Sequence, residues 1–272
     1  MSATGTPDIL RRILRRKAEE VVERAEARSL RELSAAAADL APTRGFCDAL
    51  LQRVEAGGAG VIAEIKRASP SRGVIRDDFR PAAIAADYQR HGAACLSVLT
   101  DRDFFQGDDA HLQEAREAVT VPVLRKDFTV DAYQVYEARV LGADCILLIA
   151  AALGDAQLAE LHALAVELGM DVLIEVHDAE ELARVAPLGP ALVGVNNRDL
   201  RTFHTDLATS EALAGAMPSG ALAVTESGIH TAGDVARMRA AGIHAFLVGE
   251  AFMSAESPGE RLAELFGGPA GA

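Results

Sequence analysis

The sequence predicts an α/β fold, a (β/α)8 TIM barrel preceded by a helical extension. Three observations predict it. Eight short apolar runs recur at 61–66, 95–100, 121–126, 145–150, 171–176, 192–197, 221–226 and 245–250, their starts 21 to 34 residues apart, which is the spacing of strand–helix units. Near-continuous apolar strands such as Cys145-Ile146-Leu147-Leu148-Ile149 suit a parallel sheet covered by helices. Each helical stretch ends at a glycine just before the next run, at Gly92, Gly142, Gly169, Gly189 and Gly242, where a left-handed C-cap favours glycine. A doubly wound open sheet shares the alternation, but eight units with no second domain disfavour it. The expected division is one domain over 1–272: an extension at 1–60, a barrel at 61–266 and a frayed tail at 267–272.

In chain order, Pro7 to Ala27 reads as an amphipathic helix. Ile9, Leu10, Ile13, Leu14, Val21 and Val22 recur at helical spacing, and proline is favoured in a first turn. The segment is rich in arginine, but Asp8, Glu19, Glu20, Glu23 and Glu26 set it apart from a transit peptide. Gly57-Gly58-Ala59-Gly60 precedes a strand rather than following one, so it is a loop and not a dinucleotide fingerprint. Asp109, Asp131, Asp155 and Asp178 are expected N-caps, with Glu181 completing a capping box at Asp178. Asp101 to Gly107 is either a moving cover over a substrate or a packed loop.

Composition narrows the function. Hydrophobic residues make up 50% of the chain, but aromatics only 4% with no Trp, so the core must be aliphatic. A net charge of −13 argues against nucleic acid, which needs a basic footprint, but allows a small anion held by a local cluster of cations and N–H groups. Cys47, Cys95 and Cys145 are odd in number and lack a CxxC spacing, which points to free core thiols in a reducing compartment. The seven histidines show no HxxxH or HxH spacing, so no metal site is expected. No run approaches the ~20 apolar residues of a membrane helix, and the cytoplasm is the expected location.

In a barrel of this kind the chemistry gathers at the C-terminal ends of the strands. Strand 1 ends in Glu64 and Lys66, two apart and so on one face. A buried acid and base there are costly unless they pair or do chemistry. Strand 3 ends in Lys126 and strand 5 carries Glu175. Strand 6 offers Asn196 and Arg198, strand 7 ends in Glu226 and strand 8 ends at Gly249. Singly, each is an ordinary loop charge or a structural pair, and Asn197 and Asp199 can be turn residues. Convergence of the set on one mouth is the mark of function. Glu226-Ser227-Gly228 and Val248-Gly249-Glu250 place small residues where strand becomes helix, the usual phosphate position of a barrel.

These segments resemble a known family. Glu64-Ile65-Lys66-Arg67-Ala68-Ser69-Pro70-Ser71-Arg72-Gly73 is similar to the signature of indole-3-glycerol phosphate synthase. So are Leu124-Arg125-Lys126-Asp127-Phe128, Leu173-Ile174-Glu175-Val176, Gly194-Val195-Asn196-Asn197-Arg198-Asp199-Leu200 and Thr225-Glu226-Ser227-Gly228-Ile229. The resemblance runs in order over roughly 8–266. It implies a carbon–carbon lyase of tryptophan biosynthesis, closing 1-(2-carboxyphenylamino)-1-deoxyribulose 5-phosphate to indole-3-glycerol phosphate with loss of CO2 and water, and needing no cofactor. It implies Lys126 as the acid, Glu175 as the stabiliser of a cationic intermediate, and Glu64 and Lys66 as base and acid for dehydration. Arg198 would hold the substrate carboxylate, while Asn196 and Glu226 would contact sugar-chain hydroxyls. Ser69, Ser227, Gly228, Gly249 and Lys66 would surround the phosphate, and Phe105, Phe128 and Leu147 would line the aromatic pocket. The family often has a small hydroxyl residue where this chain has Glu250, whose side chain is therefore expected to point away from a phosphate.

The expected partner is a phosphorylated small molecule, with no nucleic acid or membrane. A tryptophan-pathway enzyme partner is not specified by the sequence. The competing readings are another phosphate-binding barrel, such as a phosphoribosylanthranilate isomerase-like enzyme, and a non-catalytic anion-binding barrel.

Overall fold

The computed structural model describes residues 8–267. Pro7, expected in the first helical turn, and the expected frayed tail beyond Gly267 lie outside the described residues.

Eight parallel strands close into a barrel: β1 (Gly60–Ile65), β2 (Cys95–Leu99), β3 (Val123–Lys126), β4 (Cys145–Ile149), β5 (Asp171–Val176), β6 (Leu192–Asn196), β7 (Leu222–Glu226) and β8 (Ala245–Val248). Each strand pairs with its neighbours in sequence. The ring shuts where β1 meets β8, Gly60 opposite Ala245 and Ala63 opposite Val248. The eight expected strands are all present, with ends moved by at most two residues. The five expected helix-ending glycines all have positive φ, from 60° at Gly189 to 97° at Gly92.

Alternation along the strands decides what the barrel holds. Ile62, Leu124, Leu147, Leu173, Leu192, Val224 and Leu247 belong to one buried cluster inside the ring. Their neighbours Val61, Ala63, Val98, Val123, Ile146, Ile174, Val193 and Val248 belong to a second cluster, against the surrounding helices. Counting by two along the inward set leads to Glu64, Lys126, Glu175, Asn196 and Glu226 at the strand ends. The base of the interior is aliphatic and its top is ionic.

The extension spans both ends of the ring. It comprises α1 (Asp8–Ala27), α2 (Leu30–Ala38) and α3 (Phe46–Glu55). Phe46 and Leu50 of α3, both fully buried, join the interior cluster from below. Leu10 and Ile13 of α1, at 1% and 3% exposure, are buried at the mouth instead. Burying each such side chain contributes roughly 1.5–3 kcal/mol. Between them α2 starts with a capping box, Ser29 accepting from the Glu32 N–H and Glu32 from the Ser29 N–H. It packs on the barrel helix Ala132–Leu141. The Arg44 guanidinium donates to the Val119, Val121 and Arg116 carbonyls, which fastens the link between α2 and α3 to the barrel base.

Two expected caps move. The N-cap before Asp109 is Asp108, whose carboxylate accepts from the Ala110 N–H. The N-cap before Asp155 is Gly154, with no side-chain bond. In both cases the Asp takes the first helical position, where its charge still suits the helix dipole. Asp131 and Asp178 cap as expected. The reciprocal half of the box at Asp178 does not form, because Glu181 accepts from the His177 N–H instead.

Among the described residues no helix is long and apolar enough to cross a membrane. None of their His, Cys, Asp and Glu side chains form a group of three or more placed to hold a metal ion. The three cysteines are free and buried.

Candidate active site

The fourteen residues that the family resemblance assigns to the site all line one cavity at the C-terminal end of the ring, about 170 Å³ in volume. Glu64, Glu175 and Glu226 are 4%, 3% and 2% exposed, so their charges act in a low-dielectric setting where each needs a partner.

Lys126 is at the centre of these carboxylates. Its Nζ is 3.4 Å from Glu226 Oε2 and 3.7 Å from Glu175 Oε2. Burial alone would lower its pKa, but Glu226, Glu175 and Glu64 together raise it. Lys66 Nζ donates to Glu64 Oε1 at 2.5 Å. Burial pushes Glu64 up, but Lys66, Lys126 and Arg198 outweigh burial and hold it low. Glu226 goes the other way. Burial, with Glu175 and Glu64 nearby, overcomes Lys126 and brings it up to about 7. Two carboxyls in one cavity thus have opposite proton affinities.

Glycines make the room. A Cβ at Gly194 would collide with Glu226 Oε1, and one at Gly249 with Glu64 Oε1. Either would force the neighbouring carboxylate aside. Glycine inside a strand commonly marks such a close approach. Asn197 fixes β7 to β6: its Nδ2 donates to Thr225 Oγ1 and to the Glu226 and Ser227 carbonyls. Its Oδ1 accepts from Ser210. Asn197 thus ties the end of β6 to β7 and aligns Asn196 and Glu226 on either side. Asn196 Oδ1 accepts from Ser227 Oγ at 3.0 Å and from the Arg198 N–H at 3.1 Å. Ser227 and Gly228 both take left-handed backbone, φ 65° and 88°, so the chain turns sharply beside the expected phosphate position.

On that side of the mouth the arrangement differs from expectation. Ala68–Ser69 and Gly73–Val74 form a small antiparallel hairpin that carries Ser71 and Arg72 over the rim. Glu250, the first residue of the short helix Glu250–Met253, lines the cavity rather than turning away. Its carboxylate accepts from Arg72 and, at 3.2 Å, from Arg198. Burial raises Glu250, but the Arg72 hydrogen bond and the two guanidinium charges hold it low. Arg198 also reaches Ser71 Oγ at 3.3 Å. Two guanidinium groups thus share one internal carboxylate. The physical reason is that clustered cations in a half-buried rim need a counter-charge.

The aromatic side is built by the short helix Arg102–Phe105. Asp101 caps it by accepting from the Phe104 and Phe105 N–H groups, and the Phe105 and Phe128 ring centroids are 6.0 Å apart. Gly107 closes the loop with an N–H bond to the Asp101 carbonyl at 2.7 Å, and Phe105 lines the cavity. Lys17 of α1, 1% exposed, pairs with Asp127 at 2.8 Å, Asp101 at 3.0 Å and Glu20 at 2.8 Å. That anchor joins the roof helix to the residue after Lys126 and to the cap that presents Phe105. Ile9, Leu10, Ile13 and Phe203 add apolar surface to the lining.

Sequence reasoning missed several of these. Gly194 was visible as a glycine inside a strand. His177 is two residues past Glu175 and so legible on the same face, but it falls beyond the strand end and no metal-ligand spacing singles it out. Lys17 carries no such signal, because two of its three partners, Asp101 and Asp127, are distant in the chain.

Comparison with known proteins agrees with this geometry. The family model described as indole-3-glycerol phosphate synthase matches residues 10–265. Among solved structures, N-acetylmannosamine-6-phosphate 2-epimerase from Clostridium perfringens is similar in fold, with a TM-score of 0.59 at 14% identity over 75% of this chain and 89% of that one. Thiamine phosphate pyrophosphorylase from Pyrococcus furiosus has a TM-score of 0.58 at 12% identity, covering 76% and 93%. At such identities the likeness is one of fold.

Proposed function

The chain belongs to the indole-3-glycerol phosphate synthase family, and on that premise we propose that it closes 1-(2-carboxyphenylamino)-1-deoxyribulose 5-phosphate to indole-3-glycerol phosphate. The observation that carries this reading is Lys126, an ammonium buried among three carboxylates whose charges raise its pKa. A charge held on in this way suits polarising a ketone oxygen and protonating it once it has become a strongly basic alkoxide.

In the proposed reaction the ring carbon bearing the carboxylate attacks the ketone carbon. Lys126 protonates the ketone oxygen as it becomes a hydroxyl. The closed ring carries a positive charge on nitrogen, which Glu175 stabilises from the barrel interior. The carboxylate leaves as CO2, and its bonding electrons neutralise that cation. Loss of water then makes the indole. Glu64, held low, is suited to remain a carboxylate, and its partner Lys66 is suited to protonate the departing hydroxyl. Glu226, with a pKa of about 7, is matched to exchanging a proton near neutrality and shares this acid–base work.

The substrate anions fit the opposite rim. Arg198 is suited to grip the carboxylate in a two-pronged geometry. The turns at Ser69, Ser227-Gly228 and Gly249 are suited to the phosphate, and Phe105, Phe128 and Leu147 to the aromatic ring. Substrate would replace Glu250 as the partner of Arg198.

The test is turnover. Purified protein incubated with the carboxyphenylamino substrate should develop indole fluorescence, whereas a flat trace from folded protein overturns the reading.

A further inference from the structure

His177 follows the last residue of β5, two residues beyond Glu175, and approaches the carboxylate from outside the cavity that holds Lys126. Its Nε2 is 3.4 Å from Glu175 Oε1. Its Nδ1 is 3.1 Å from Glu181 Oε2, which also accepts from the His177 backbone N–H at 2.7 Å. The ring is thus fixed at one end by the first turn of the helix Ala179–Val185 and aimed at Glu175 by the other. Nε2 is buried and has no hydrogen-bond partner, so its approach to Glu175 is an ion-pair contact.

The two oxygens of Glu175 therefore face different cations: Oε2 faces Lys126 at 3.7 Å and Oε1 faces His177. His177 does not line the cavity that holds Lys126 and the expected substrate position. It lines a neighbouring cavity of about 560 Å³ at the ends of β5 and β6, which shares Asn196, Arg198 and Leu200 with the first. We propose that His177 is a positioning residue for Glu175. It clamps one carboxylate oxygen from behind, so that the other stays directed at the reacting centre and does not collapse onto Lys126. The inference rests on the synthase reading, in which Glu175 stabilises the cationic intermediate.

The charge state of the ring follows from its surroundings. Burial would lower the His177 pKa, but Glu181, Glu175 and Glu226 raise it to about 9. The outer cavity mixes Asp178, Glu180, Asp199 and Asp206 with Arg184, Arg198, Arg201 and His204. That field is of mixed sign, so the two touching carboxylates dominate. A raised histidine pKa means the imidazolium is present below about 9 and is lost as pH rises through it. The Lys126 pKa is raised beyond its ordinary value, so Lys126 stays charged over that range, and loss of the His177 charge contributes to the alkaline limb of turnover.

Three measurements test this on the full chain. In the free protein, NMR titration of labelled histidines should find His177 titrating near 9 and returning toward the ordinary value in Glu181→Gln. This needs no substrate. With the carboxyphenylamino substrate, His177→Ala should lower kcat about tenfold, less than the ~100-fold that a 1 Å misplacement can cost, with KM changed less than about twofold. His177→Gln keeps an amide N–H within reach of Glu175. It should recover most of kcat at pH 7 and lessen the decline above pH 9, and it guards against an alanine variant that fails to fold. A wild-type His177 titrating near 6.5, an unchanged kcat in folded His177→Ala, or superimposable pH profiles for wild type and His177→Gln would each overturn the role while leaving the synthase reading intact. Absence of turnover in the wild type would overturn the synthase reading, and the proposed role with it.

Discussion

Lys126 and Glu226 are 3.4 Å apart, yet their protons are bound for opposite reasons. The lysine is stabilised as a cation by three surrounding acids, whereas Glu226 is buried beside two other carboxylates and holds a proton up to about 7. Lys126→Ala should reduce kcat by at least ~100-fold, the lower range for losing a general acid, with a smaller change in KM. Steady-state kinetics that leave kcat near normal would remove Lys126 from the chemistry. Glu226 gives a stability prediction. Its folded pKa is raised, so its contribution is full below about 4.5 and is lost as pH climbs through about 7. Denaturant titrations should show wild type losing stability relative to Glu226→Gln between pH 5 and 8. The loss should be on the order of 2–3 kcal/mol, because each tenfold gain in proton affinity on folding is worth ~1.4 kcal/mol. A constant difference across that range would contradict the raised value. The acid and base types at these positions could be read from the chain. Their individual proton affinities could not, because these depend on which groups from other strands lie within a few ångströms.

At the scale of the strand, period-two alternation did most of the predictive work. It placed Glu64 with Lys66 and Asn196 with Arg198 on inward faces. The same alternation, extended one step past the strand end, sets His177 beside Glu175. It could not show that β6 yields space to β7. Gly194 on β6 is there because Glu226 on β7 occupies the volume its side chain would fill. Gly194→Ala should therefore shift Glu226 and lower kcat by at least about tenfold, while the strand itself tolerates alanine and the circular-dichroism spectrum stays native. An alanine variant with full activity would show that Glu226 can move without consequence. The helix caps teach a related lesson. Where two acids run together, as at Asp108-Asp109, the sequence marks a helix start, and the geometry of entry into the first turn decides which acid caps it.

For the molecule as a whole, the barrel was legible from its repeat, whereas the route of the extension was not. Nothing in residues 8–55 says that one helix will roof the mouth and another plug the base. That assignment depends on Lys17 meeting Asp101 and Asp127, and on Arg44 meeting three carbonyls at the far end. Lys17→Met would leave buried Asp101 without its cation and Asp127 with only the more distant Arg125, and breaking a buried pair typically costs about 3–5 kcal/mol. Equilibrium unfolding should register that loss. A variant as stable as wild type would mean that the cluster is held by packing alone.

Closure of the ring between β1 and β8 has a consequence for how the chain comes off the ribosome. Gly60 must wait for Ala245, 245 − 60 = 185 residues later, and at ~5–20 residues per second that delay is on the order of ten seconds or more. Throughout it β1 keeps an open edge, and Glu64 lacks the Gly249 backbone against which it finally nests. The nascent protein is most exposed to mispairing just before the last stave arrives, and its charged interior is completed only when that stave docks.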